Sequence, residues 1–159
     1  MFRDNNGFNQ DLSEWNVAKV TKMNNMFLSA TKFNGDLSTW MTFQVIDMSS
    51  MFNKATKFNG DVSKWITSKV TTMDGMFNEA TVFDGCNGDV VQCGSSLKNW
   101  DVSRVTSTNW MFKHAAAFNN DLSNWKVTKV ETMNKMFGGA VAFNGDISTW
   151  VSLRSFCWS

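Results

Sequence analysis

Two kinds of side chain recur here at spacings that could do chemistry, and a third kind marks one irregular stretch. Asp11, Asp36, Asp61, Asp121 and Asp146 form one register; Lys19, Lys69, Arg104, Lys129 and Arg154 form another, with Gln44 interrupting it. A row of carboxylates could chelate calcium, or it could accept backbone N–H bonds at successive turns. The second reading is the expected one, because it offsets like-charge repulsion of roughly 0.8 kcal/mol per pair at about 5 Å in water. The cations are expected to face solvent, where they could meet an acidic polymer, a lipid headgroup surface or a negatively charged protein.

Cys86 and Cys93 bracket the stretch DGCNGDVVQCGSS between Phe83 and Leu97. A disulfide joining them is expected to staple that loop, which implies an oxidising compartment. Zinc lacks ligands, since His114 is the only histidine. Asp84, Asn87 and Asp89 have the composition of a calcium loop, but Gly88 sits among them and no acidic residue follows at the bidentate position. Cys157 finds no partner within the sequence. No metal and no cofactor are expected.

Catalysis has little to stand on. No serine lies in a nucleophile-elbow context and no glycine-rich phosphate loop is present. The aspartates recur in identical settings, whereas an acid and a base need contrasting ones. The chain is therefore expected to be no enzyme.

The elements that must position these residues follow from a period. Met-Phe pairs begin at Met1, Met26, Met51, Met76, Met111 and Met136, and each step is 25 residues except the fourth, which is 35. A second phenylalanine follows at Phe8, Phe33, Phe58, Phe83, Phe118 and Phe143, and a tryptophan at Trp15, Trp40, Trp65, Trp100, Trp125 and Trp150. Such a period marks a solenoid. The expected organisation is one repeat domain over 1–159 with about six coils: 1–25, 26–50, 51–75, 76–110 carrying a ten-residue insertion, 111–135 and 136–159. Met1 aligns with the repeat methionines and MFRDNNGFNQ is too polar for a signal peptide, so the chain reads as a window of a longer one.

Within a unit, Val20, Met23, Phe27 and Ala30 fall at helical spacing with Thr21 as a possible N-cap. Phe33-Asn34-Gly35-Asp36 suits a turn, and Leu37 to Trp40 reads as a short strand. The expected fold is thus an α/β solenoid with one short parallel strand and one short helix or helical turn per 25-residue repeat. Columns of Trp, Phe, Met and Val would fill its interior. An asparagine column at Asn9, Asn34, Asn59, Asn119 and Asn144, with Asp84 standing in, would bond the backbone of adjacent coils.

The segments FNGDLSTW, FNGDVSKW, FNNDLSNW and FNGDISTW, with VTKMNNMF, VTTMDGMF and VETMNKMF, carry a resemblance over the whole chain. The pattern MFxxAxxFNxDLSxWxVxxVxxM resembles the BspA-like surface proteins, whose repeats are related to leucine-rich repeats. The resemblance implies a leucine-rich-repeat-like right-handed coil and exposure at a cell surface or secretion.

Departures from the pattern are where an individual function is expected. Phe43 stands where other units have Ala18, Ser68, Ser103 and Thr128; Trp110 stands where they have Asn25, Ser50, Gly75 and Lys135; Thr108 replaces a core methionine. Phe43 and Trp110, with the basic register, are the candidate partner contacts, and the insertion belongs to a binding face. With 15 basic against 14 acidic residues, nucleic acid is not expected as partner. No apolar run approaches the roughly 20 residues that span a bilayer. The leading expectation is an extracellular or surface module that adheres to another protein or an acidic surface polymer. The alternative is a structural spacer or peripheral subunit of a larger assembly. Ice binding through Thr31, Thr56 and Thr81 is remote, since that column stops at Ala116 and Val141.

Overall fold

The structure, a computed structural model, describes residues 1–85 and 97–150. Cys86, Cys93, Arg154 and Cys157, and with them the disulfide and most of the insertion, lie outside the described residues. Each unit forms one layer of a stack, and the layers are numbered 1 (residues 1–25), 2 (26–50), 3 (51–75), 4 (76–110), 5 (111–135) and 6 (from 136).

Turns build each layer, and this corrects the expected α/β fold. Among the described residues there is no helix, and strand-like pairing is confined to isolated parallel bridges linking Lys22, Asp47, Thr72, Ser107 and Thr132 in succession. The apolar spacing of three and four was real, but its bonds span three residues: Met26 N–H to the Met23 carbonyl, Ala30 to Phe27, Phe33 to Ala30. A helix needs an unbroken run of right-handed residues with bonds spanning four. Here two left-handed residues per layer break the run. Asn25 (φ 57°) and Ser29 (φ 58°) do so in the turns that flank Phe27, as do Ser50 and Lys54 one layer on. The supposed strand is also a turn, closed by Trp40 N–H to the Leu37 carbonyl.

One edge of each layer carries a backbone ladder to the next. Met23, Asn25, Phe27 and Ser29 donate their N–H groups to the carbonyls of Asp47, Ser49, Met51 and Asn53. The carbonyls of Met23, Asn25 and Phe27, which a β-strand would also aim at a neighbour, are instead used within the layer by its turns. The same set recurs one and more periods on, at Met48, Ser50, Phe52 and Lys54, at Met73, Gly75, Phe77 and Glu79, and at Thr108, Trp110, Phe112 and His114. Ile46, Thr71, Thr106 and Glu131 bond the opposite way, each donating to the layer before.

The interior consists of columns, as the sequence indicated. Phe27, Phe52, Phe77 and Phe112 are fully buried, their rings stepping 5.5–5.7 Å from layer to layer. Each also stacks within its own layer on the second phenylalanine; the Phe52 and Phe58 centroids are 3.8 Å apart. Offset stacking of this kind contributes about 0.5–1.5 kcal/mol per pair beyond area burial. The tryptophans add a polar tie: Trp40, Trp65, Trp100, Trp125 and Trp150 donate their indole N–H to the carbonyls of Leu12, Leu37, Val62, Leu97 and Leu122 in the preceding layer. Asparagine supplies another, with Asn9 Oδ1 accepting from Asn34 N–H and Asn34 Oδ1 from Asn59 N–H, both at 2.8 Å.

The insertion leaves this register intact. Phe77 to Phe112 and Trp65 to Trp100 keep ring separations of 5.7 and 6.3 Å across it. Its two roots, Asp84 and Leu97, are bridged by one residue of layer 5, the fully buried Asn120. That side chain accepts from Leu97 N–H at 3.1 Å and donates to the Asp84 carbonyl.

Candidate binding surface

The aspartate register is absorbed by the fold. Asp11, Asp36, Asp61, Asp121 and Asp146 each accept the backbone N–H two residues on, from Ser13, Ser38, Ser63, Ser123 and Ser148, at 2.8–2.9 Å. Those bonds hold the Asp11 and Asp146 carboxyls below the usual carboxylate value. Asp121 is lowered further, to about 2, chiefly by its hydrogen bond from Lys98. Among the described residues no group of His, Cys, Asp or Glu is arranged to hold a metal, and no helix is long and apolar enough to cross a membrane. The hydroxyls of Thr31 and Thr56 donate to carbonyls of the layer before, those of Asn6 and Thr31.

The basic register is positioned by two turns per layer. In layer 1 these run from Leu12 to Trp15 and from Val17 to Val20, closed by Trp15 N–H to the Leu12 carbonyl and Val20 N–H to the Val17 carbonyl. Leu12 and Val17 are buried, as are the equivalents of Trp15 and Val20 in layers 2 to 5. Pinning these four positions inward leaves the turn corners, and the one residue between the turns, facing out. Lys19, Lys69, Arg104 and Lys129 lie on the second corner and are all exposed. Gln44, which breaks the register, accepts from Lys69 Nζ at 2.6 Å.

Charge is sorted around the layer as a result. The stretch from the first corner to the second carries Lys19, Lys64, Lys69, Lys98, Arg104, Lys126 and Lys129 against only Glu14 and Asp101. Acidic residues predominate over the remainder of the described chain, so a net charge of +1 conceals one strongly basic side. In layers 4 and 5 this side is hollowed into a cleft of about 310 Å³, lined by Lys98, Asn99, Asp101, Ser103, Asn124 and Lys126 among others. Hydrogen bonds from Ser103, and after them the charges of Lys126 and Arg104, hold the Asp101 carboxyl below its ordinary value.

The structure brings Phe43 to this side and leaves Trp110 away from it. Phe43 is half-buried on the same corner as the basic register, one residue before Gln44. Trp110 belongs to the ladder edge, where its N–H bonds the Asn134 carbonyl; it is 48% exposed and left-handed at φ 55°. Sequence reasoning missed the position between the two turns. There Met41 and Ile66 are 62% and 51% exposed in consecutive layers, giving way to Asp101 and Lys126. The signal was present: the position varies as Asn16, Met41, Ile66, Asp101 and Lys126 while a tryptophan always precedes it and valine or threonine always follows. Beneath it, Thr42 is held inward, its hydroxyl donating to the Ile66 carbonyl and accepting from Ile66 N–H at 3.0 and 2.9 Å. That pair of bonds fixes the backbone on which Ile66 is presented.

No curated protein and no solved structure matches the chain. One family does, that described as "Mycoplasma protein of unknown function, DUF285", and it matches over residues 1–93 and again over 91–155. Two successive matches cover nearly the whole sequence, as expected where the unit of likeness is itself repeated. The chain is a member of this Mycoplasma repeat family.

Proposed function

We propose that this chain is a non-enzymatic binding repeat of the BspA-like surface type, displayed outside the cell and adhering through its basic side to an acidic protein or polymer. The observation that carries this reading is the sorting of charge. Seven of the fourteen described cations lie from the first turn corner to the second, against two anions, while the aspartate register is spent on turns. A potential of one sign along a surface raises encounter rates with oppositely charged partners and falls with salt.

Charge reversal on two sides separates this from a merely solvated face. Lys69→Glu, Arg104→Glu and Lys129→Glu together should abolish salt-sensitive capture of polyglutamate by the immobilised chain. Lys32→Glu, Lys54→Glu and Lys57→Glu, which lie outside the two corners, should leave most of it. Equal loss from both sets would mean that net charge alone governs capture, and the reading would fail. Surface display is tested independently, by protease accessibility of the chain on intact cells of its source.

A further inference from the structure

The basic side is graded along the stack. In layers 2 and 3 its floor is apolar, with Met41 and Ile66 exposed one layer apart and Phe43 half-buried on the adjoining corner. Layer 2 has no cation on its corners, because Gln44 stands in the basic register and accepts from Lys69 Nζ, while Lys64 and Lys69 flank Ile66 in layer 3. In layers 4 and 5 the floor turns polar and cationic, with Lys126 in the cleft and Arg104 on the corner beside it. An apolar floor that precedes a cationic one is a pattern a uniform polyanion uses only in part: it would leave Met41 and Ile66 in water while gaining nothing from layer 2.

We propose that this strip takes an extended acidic peptide segment, with an apolar side chain seated over Met41 and Ile66 and carboxylates reaching Arg104 and Lys126. The inference rests on the surface-binding reading above and gives it a ligand class and a register. Layers stack about 4.8 Å apart, and an extended chain advances about 3.3 Å per residue. The segment therefore moves on by roughly one and a half residues per layer. Arg104 lies one layer beyond Ile66 and Lys126 two, so the matched carboxylates fall about one and a half and about three residues from the apolar anchor. Apolar contact fixes where the segment sits, and charge complementarity supplies attraction and excludes basic segments.

Fluorescence anisotropy on the whole chain tests this with two labelled peptides of equal charge: one all glutamate, the other with leucine and phenylalanine preceding the same run of glutamates, made in both chain directions. One direction of the amphiphilic peptide should bind about tenfold tighter than all-glutamate, as expected for covering a partly exposed aliphatic pair. Met41→Ser with Ile66→Ser should remove that advantage and leave all-glutamate binding unchanged, while Arg104→Gln with Lys126→Gln should weaken both peptides. All four side chains are exposed, and circular dichroism melts verify that the variants fold. Equal affinity for the two peptides, with Arg104 and Lys126 still required, would overturn the peptide groove and leave a polyanion-binding side. Tighter binding of a sulfated polysaccharide, indifferent to Met41 and Ile66, would overturn it likewise. Binding indifferent to Arg104 and Lys126 would overturn the groove together with the surface-binding reading beneath it.

Discussion

The junction between layers 2 and 3 and the junction between layers 4 and 5 do the same job with different residues. At the first, the backbone is tied by residues of the recurring registers: Asn34 Oδ1 holds Asn59 N–H, and Trp65 reaches back to the Leu37 carbonyl. Gly60 suits the close approach there, because a Cβ would lie 3.0 Å from the Phe58 ring and 3.3 Å from the Gly35 carbonyl. At the second, the insertion has separated Asp84 from Leu97, and the unit that follows repairs the gap. Asn120 replaces the usual glycine and spans both roots, while Lys98 replaces a serine and pairs with Asp121 at 2.6 Å. A break in one repeat is thus compensated by a break in the next. Departures from a repeat are informative in pairs.

The sharpest way to break this comparison is Asn120→Gly, which makes the fifth unit look more regular. It should destabilise by about 2–4 kcal/mol, since the Leu97 N–H and the Asp84 carbonyl each lose a partner at a site where Asn120 itself is fully buried. Asn34→Ala at the regular junction should cost about 1 kcal/mol, because Asn34 is exposed and water takes its place. Urea melts of the two variants decide it, and equal losses would remove the distinction. The converse substitution, Gly145→Asn, transplants the repair to a junction with nothing to repair. A Cβ there would meet the Asn120 carbonyl oxygen at 2.5 Å, so about 1–3 kcal/mol should be lost.

A smaller effect of opposite sign is expected at Thr108, which interrupts the buried methionine column and whose hydroxyl has no partner. Thr108→Val keeps the shape, deletes the hydroxyl and should raise the melting temperature, by about 1 kcal/mol of stability. The smallest concerns pH. The Asp121 carboxyl titrates at about 2 in the folded chain against 3.8 ordinarily, so its stabilisation is complete above pH 4 and is lost as pH falls toward 2. Lys98→Gln should shrink that acid-side loss. Both partners are about a third exposed, so the change is a few tenths of a kcal/mol, visible as altered curvature of stability between pH 4 and 2.

Much of the core was legible because columns follow directly from a period. Met48, Phe52, Phe58, Trp65 and Val70 are buried as the repeat required, and the asparagine and aspartate registers make the bonds their chemistry favours. Secondary structure was not legible, for a definite reason. Turns spanning three residues and helices spanning nearly four place apolar residues at overlapping intervals, and only backbone handedness separates them. The left-handed positions held Asn25 and Gly75 in two layers but Trp110, Lys54 and His114 elsewhere, so composition gave no consistent sign of them. The binding strip was half legible. Arg104 belongs to the recurring register and was seen; Met41, Ile66 and Lys126 share a variable position, and an apolar residue beside a core tryptophan reads as core until the turns show which way it faces.

The ladder has an electrical consequence. In a β-sheet, successive peptide dipoles alternate and nearly cancel. Here the peptide groups that end in the N–H of Met23, Asn25, Phe27 and Ser29 all direct it toward the following layer, against fewer that point back, chiefly those ending at Ile46 and Asn34 and their equivalents. Each peptide contributes about 3.5 D, and a net excess of roughly two per layer of about 4.8 Å compares with roughly three over the same length of an α-helix. The stack therefore carries a net dipole without containing a helix, weaker than a helix macrodipole and positive toward its later layers. Two stacks lying side by side are drawn into antiparallel order, and two end to end into head-to-tail order, before any side chain takes part.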